Sequence, residues 1–331
     1  MSFGWLEQEG AEREIAVSTR ARLARNLAEF PFPHRASVAQ RKRVAQLVRE
    51  AAKIGDLTLL KPCELEKLSE SERQALVAGQ SISPKMADGK PGRWALLAKD
   101  GALSVLVNEE DHLRLQALTP GCEPQRVYER VSMMEQLLAR GLEFAQDDRL
   151  GFLTASLANV GTGLRLSVLL HLPALTWLEE LDTKIEAVCA LGGTVRGIHG
   201  EGSPRSGALY QVSHEITYRP ENDPLIFVWS VQGAAQVLIA AEKAARERLP
   251  RIQPWTLRQT WERSHERIST AEALGESEAL ELLSHRRLAG LLGLTDALEP
   301  VTFAGAILAL GQGDSLRSQI ARPALLRQLL G

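Results

Sequence analysis

Asn108-Glu109-Glu110-Asp111-His112-Leu113-Arg114 sets three carboxylates side by side, directly after the apolar run Ala102-Leu103-Ser104-Val105-Leu106-Val107. Adjacent acids repel, so the cluster calls for a cationic partner or a solvated position. A carboxylate pair can grip a cationic nitrogen group and accept a proton from it. The plainer alternative is a solvated strand end that caps the next helix. A second segment, Ser18-Thr19-Arg20-Ala21-Arg22-Leu23-Ala24-Arg25-Asn26, carries the opposite charge. On an extended chain Arg20 and Arg22 project to the same side. Two guanidiniums so placed repel unless an anion lies between them, and phosphate suits arginine's bidentate, permanently charged fork. The alternative is an exposed basic strand face.

Two glycine-rich segments add to these. In Asn159-Val160-Gly161-Thr162-Gly163-Leu164-Arg165-Leu166-Ser167-Val168 the glycines allow close backbone approach, and Arg165 stands at what reads as the start of a helix. No Gly-Lys-Ser/Thr follows, and the glycine spacing is not that of a dinucleotide fingerprint. Val195-Arg196-Gly197-Ile198-His199-Gly200-Glu201-Gly202-Ser203 reads as a flexible loop that presents Arg196 and Glu201. A plain turn and a solvated hairpin loop are the respective alternatives. Taken together, Arg20, Arg22, Arg114, Arg165 and Arg196 suit a nucleotide polyphosphate clamped by guanidiniums, and Glu110 and Glu201 would face a cationic acceptor.

These residues need elements to hold them. Residues 94–98 and 102–107 flank Asp100-Gly101 and read as a β-hairpin. Ser37-Val38-Ala39-Gln40 matches a capping box and opens a helix to about Lys53, closed by Gly55. Residues 123–145 and 173–190 have helical patterns, the second with proline in its first turn. Residues 207–218 alternate as a half-buried strand, and 219–224 form a polar, proline-bearing loop. Beyond about residue 226 only helices are expected, at 230–249, 261–274, 276–292 and 316–330.

Composition narrows the class. The 331 residues are 44% hydrophobic and 24% charged with a net charge of -2, which fits a soluble globular protein and gives no sign of nucleic-acid or membrane binding. The longest apolar stretch, 164–178, is interrupted by Arg165, His171 and Pro173. Cys63, Cys122 and Cys189 are odd in number and widely spaced, which suits a reducing cytoplasm better than a disulfide framework or a zinc site.

The motifs Ser18-Thr19-Arg20-Ala21-Arg22, Asn108 to Arg114, Asn159 to Arg165, His171-Leu172-Pro173-Ala174-Leu175 and Arg196 to Gly202 occur in the order seen in the ATP:guanido phosphotransferase family, which includes arginine and creatine kinases. The chain resembles that family over about residues 12–290, and most of all its bacterial branch of protein arginine kinases. The resemblance implies an α+β fold: a guanidino-kinase catalytic domain over residues 1–250, with an antiparallel β-sheet flanked by helices, then a helical C-terminal module over 251–331 for dimerisation and substrate engagement. It implies transfer of the γ-phosphoryl of Mg-ATP to a guanidinium nitrogen, with Mg²⁺ held by phosphates and waters rather than protein side chains.

By the same resemblance Glu110 is base and clamp, Glu201 the second clamp, and Ser156 stands where the family has a cysteine. The phosphate and nucleotide site would comprise Ser18, Thr19, Arg20, Ala21, Arg22, Arg114, Arg165, Leu166, Ser167, Val168, Leu169, Arg196, Gly197, Ile198, His199, Gly200 and Glu201, with Gln80 as a further nucleotide contact. Small-guanidine kinases carry a helical domain ahead of the Ser-Thr-Arg motif, which here begins at Ser18. An uncovered acceptor pocket would admit arginine side chains of proteins. A homodimer, a zinc-containing activator protein, a Clp ATPase/protease that degrades the marked proteins under stress, and a cytoplasmic location are the family's further implications. The chain departs from the pattern at Ser156, at His199 in place of an arginine, at Gln80 in place of a histidine, and near Arg322, where an Arg-Asp pair that senses phosphoarginine is not evident. A small-guanidine phosphagen kinase and a catalytically weakened nucleotide-binding adaptor are the alternatives.

Overall fold

The computed structural model describes residues 3–198, 206–214, 223–311 and 315–330. Its strands are β1 (Ala16–Arg25), β2 (Leu60–Glu64), β3 (Trp94–Ala98), β4 (Leu103–Val107), β5 (Leu113–Pro120), β6 (Gln146–Asp147), β7 (Gly151–Phe152), β8 (Leu164–His171), β9 (Gly193–Gly197) and β10 (Leu209–His214). Its helices are α1 (Val38–Ile54), α2 (Glu70–Ala78), α3 (Pro124–Ala139), α4 (Pro173–Trp177), α5 (Leu181–Ala190), α6 (Pro224–Ile252), α7 (Pro254–Thr270), α8 (Glu276–Leu291), α9 (Pro300–Leu310) and α10 (Leu316–Arg327). Eight strands form one antiparallel sheet in the order β2-β3-β4-β5-β1-β8-β10-β9. The class is α+β, as expected.

Local chemistry explains the boundaries. Ser37 and Gln40 form the reciprocal capping box at the start of α1, and Gly55 closes it. The β3–β4 hairpin turns through Gly101, whose φ of 78° glycine adopts without strain. Residues 173–190 are two helices rather than one, because the chain breaks between α4 and α5 where Glu179 takes φ 57°. The helix expected over 123–145 ends at Ala139. Leu164 to Val168 are strand, not the start of a helix: Leu164, Leu166, Val168 and Leu170 alternate with Arg165, Ser167 and Leu169, a period of two. Helix α9 went unexpected because it is apolar almost throughout, so no polar face marks its period. The expected loop and strand end over 215–222 lie outside the described residues.

The two faces of the sheet differ in kind. One face supplies Ala21, Leu23, Leu113, Leu115, Ala117, Leu166, Val168, Tyr210 and Val212 to the main core, covered by α1, α3 and α6. Helix α6 is long and apolar enough to cross a membrane by length and composition, yet its Phe227, Val231, Ala234, Ala235 and Leu238 pack in this core. The other face is polar toward the sheet centre. Its end is closed by a second core, in which Trp5, Leu6, Leu118 and Leu209 meet Leu280, Leu283, Phe303 and Ile307 of α8 and α9. The second core thus draws residues from both sides of residue 250.

Candidate active site

The polar face holds the arginines. Arg22 on β1 lies opposite Arg165 on β8 and Gln116 on β5, and Arg20 lies opposite Ser167. Arg196 on β9 lies opposite Gln211 on β10. Directly opposed residues of antiparallel strands share a face, so four strands and Arg114 of β5 converge on one surface. Ser18, Arg20, Arg22, Gln80, Arg114, Gln116, Ser167, Leu169, Ile198 and Gln211 line a single cleft of about 2030 Å³. Strand alternation also divides the sequence-derived site. Ala21, Leu166 and Val168 turn their side chains into the main core. Thr19 is fully buried, donates its hydroxyl to the Gly121 carbonyl at 2.6 Å and accepts from the Glu123 N–H at 2.9 Å. These residues shape the strands rather than line the cleft with side chains. Gly197 is buried opposite Tyr210.

On the sheet floor of the cleft the arginines crowd one another. Burial, with Arg114 nearby, pushes the Arg20 pKa down to about 10. Arg20 pushes that of Arg22 well below its ordinary value, with burial, Arg114 and Arg165 adding and Glu109 opposing. The Arg20 shift thus reflects burial first and like charge second, and the Arg22 shift reflects like charge first. The Nε of Arg22 is buried with no hydrogen-bond partner among the described residues. A polyanion would relieve both strains at once.

The acid segment is a hairpin turn between β4 and β5, not a helix cap. Asn108 takes φ 61°, which asparagine tolerates, and its N–H donates to the His112 carbonyl at 3.0 Å. Its side-chain amide donates to the carbonyls of Arg41 and Gly92, both at 2.8 Å. Glu109 is buried and accepts two bonds from Arg114 Nη1, at 3.0 and 2.8 Å, and one from Ser83. Burial alone would raise the Glu109 carboxyl, but Arg114, Ser83 and Lys85 hold it below the usual range. Glu110 is exposed, and Lys85 Nζ stands 3.3 Å from its carboxylate. His112 accepts the Leu27 N–H at Nδ1 and faces the Pro31 carbonyl with Nε2, each at 3.1 Å. A carbonyl only accepts, so these partners select the Nε2–H tautomer. The motif therefore fixes itself through Asn108, Glu109, Asp111, His112 and Arg114, and leaves Glu110 at the surface beside Lys85.

Ser156 lies in the loop after β7, and its neighbour Ala155 donates its N–H to Asp111 at 2.7 Å. Glu110 and Ser156 are thus each one residue from a single hydrogen bond. His199, Gly200 and Glu201 lie outside the described residues, so the second carboxylate and the end of the β9 loop are not placed. Gln80 takes φ 58°, lines the cleft, and accepts Gln116 Nε2 on its carbonyl at 2.6 Å. Arg322 is buried and donates to the carbonyls of Leu310 and Leu274, both at 3.1 Å. Sequence reasoning missed Gln116 and Gln211, which strand alternation alone could have placed beside the arginines. It also missed the separate tasks of Glu109 and Asp111, whose partners are remote in sequence.

An antiparallel sheet that floors a cleft with arginines, beside an acid turn open to a cation, defines a phosphotransferase acting on a cationic acceptor. The family model described as ATP:guanido phosphotransferase, C-terminal catalytic domain, matches residues 42–245, and the chain belongs to that family. Relatives named Protein-arginine kinase include one from Caldanaerobacter subterraneus subsp. tengcongensis, 33% identical over 97% of this chain and 92% of the relative. Another, from Geobacillus stearothermophilus, is 35% identical over 88% of this chain and 84% of its own. Among solved structures, a lombricine kinase superposes with a TM-score of 0.59 at 25% identity, covering 71% of this chain and 68% of its own. The duplicated taurocyamine kinase of Schistosoma mansoni gives 0.62 at 27% identity, covering 75% of this chain and 36% of its own.

Proposed function

We propose that the chain is a protein arginine kinase that moves the γ-phosphoryl of Mg-ATP to arginine side chains of other proteins. The observation that carries the reading is the arginine array, with Arg22 Nε unpartnered among the described residues, beside a turn that keeps Glu110 at the surface next to Lys85. Arg20, Arg22, Arg114, Arg165 and Arg196 would bind the phosphates and stabilise charge on the transferring group. Mg²⁺ would supply charge neutralisation on the phosphate oxygens, and the arginine fit above is to the polyphosphate it accompanies.

A guanidinium is a poor nucleophile because its pKa exceeds about 12. Glu110 would hold it by bidentate hydrogen bonds, align one nitrogen with phosphorus and take the proton released as the N–P bond forms and the bond to the ADP oxygen breaks. Glu201 would be the second clamp, and Ser156 would offer a hydroxyl where a thiolate is absent. Protein acceptors are favoured over small guanidines by the names of the aligned relatives. Action as a homodimer in the cytoplasm, with a zinc-containing activator and delivery of marked proteins to a Clp protease under stress, belongs to the same reading. Incubation with ATP, an unfolded protein and free arginine tests it. Phosphoarginine in the protein is the expected product by mass spectrometry, and phosphorylation of free arginine alone would indicate a phosphagen kinase instead.

A further inference from the structure

Three segments remote in sequence meet at Asp111, which is 4% exposed. Its Oδ1 accepts the Asn26 side-chain amide at 2.6 Å and the Ala155 N–H at 2.7 Å. Asn26, just beyond β1, also donates to the Leu153 carbonyl at 3.1 Å and accepts the His112 N–H at 2.9 Å. The end of β1, the acid turn and residues 153–155 are therefore tied by one buried carboxylate and one buried amide. Among the described residues Asp111 makes no ion pair, whereas Glu109 has Arg114 and Glu110 has Lys85. A buried acid that lacks a cation and lies next to two other acids is poorly placed for stability alone. What its position does achieve is to fix the spacing between the residues on either side of the bond it makes, Glu110 and Ser156.

We infer that Asp111 is a positioning residue, holding the turn that bears Glu110 at a set distance from the loop that bears Ser156, so that both meet one acceptor guanidinium. This rests on the guanidino-kinase reading of the site. Two hydrogen bonds on one carboxylate oxygen hold a loop far more tightly than solvent would, and misplacement near the acceptor by about 1 Å can lower rate by about 100-fold.

The test uses the full chain carrying Asp111→Ala or Asp111→Asn, followed by hydrogen exchange over residues 153–159 and by initial rates in ATP and in a protein acceptor. Asp111→Ala is expected to speed exchange in that segment and raise the acceptor KM by about tenfold or more, with the KM for ATP within about twofold. Asp111→Asn keeps an acceptor oxygen and should recover most of both losses. Should Asp111→Ala not fold, Ala155→Pro removes the donated N–H while leaving Asp111 and its bond to Asn26 in place, and the same rise in acceptor KM is expected. Unchanged exchange, a parallel rise in both KM values, or an asparagine variant as damaged as the alanine one would overturn the inference. If the wild-type protein transfers no phosphoryl group, the proposed function falls, while the exchange comparison still decides whether Asp111 ties the two segments.

Discussion

The arginines of the cleft trade stability for binding. Arg22 lies beside Arg20, Arg114 and Arg165, and its Nε finds no partner among the described residues. Arg22→Gln is therefore expected to weaken nucleotide binding by about 10- to 100-fold, since a charge-assisted hydrogen bond is worth about 1.5–3 kcal/mol. The same variant should leave the nucleotide-free Tm unchanged or higher, because a repelling charge is gone. Calorimetric titration with ATP and a thermal melt check both halves. Affinity retained with a lower Tm would mean that Arg22 serves the fold instead. At this scale the sequence was informative where chemistry is local: arginines two apart on a strand must share a face. It was silent on pairing across strands, so the opposition of Arg22 to Arg165 emerged only from the register.

The acid turn and the β8 entry are held by groups with narrow tolerances. Burial pushes the His112 pKa down from the ordinary 6.5 to about 4, against the pull of the Pro31 carbonyl. His214 is likewise down to about 4, through burial first. Between these values the unfolded chain binds more protons than the folded one, so stability is lost as pH falls from about 6.5 to about 4. Urea midpoints at several pH values should fall across this window, and His112→Gln should make the fall shallower. A flat profile would contradict the neutral Nε2–H tautomer assigned to His112. Gly163 takes φ 66°, and a Cβ there would lie 2.5 Å from Arg25 Nη1 and 2.7 Å from the Ala24 carbonyl oxygen. Gly163→Ala is expected to destabilise by about 1–3 kcal/mol in denaturant unfolding. Short elements were the harder ones to read from sequence. Leu164 to Val168 fits the first turns of a helix as readily as a strand, because five residues cannot separate periods of 3.6 and 2. The capping box at Ser37 and the turn at Asp100-Gly101 were legible because each is a contiguous signal.

Across the whole molecule, a net charge of -2 conceals a strongly cationic surface on one sheet face. The opposite face is committed to the core under α1, α3 and α6, so the sheet can bind ligands from one side only. The C-terminal helices close one end of that side, and His171 of β8 bonds Ser284 of α8 at 2.8 Å across the join. A composition average could not show this segregation, and neither could a helical pattern read without its packing partner. What the residues did convey was the chemistry, because an anion clamp and a cation clamp need recognisable side chains. The most direct measurement of that chemistry compares wild type with Glu110→Gln, each given ATP and an unfolded protein acceptor, and reads acid-labile phosphate on arginine by mass spectrometry. The expected result is phosphoarginine from wild type and at least a ~100-fold lower rate from the variant, with ATP affinity retained. Equal phosphoarginine from both proteins, or none from wild type despite bound ATP, would contradict a guanidino kinase that works through Glu110.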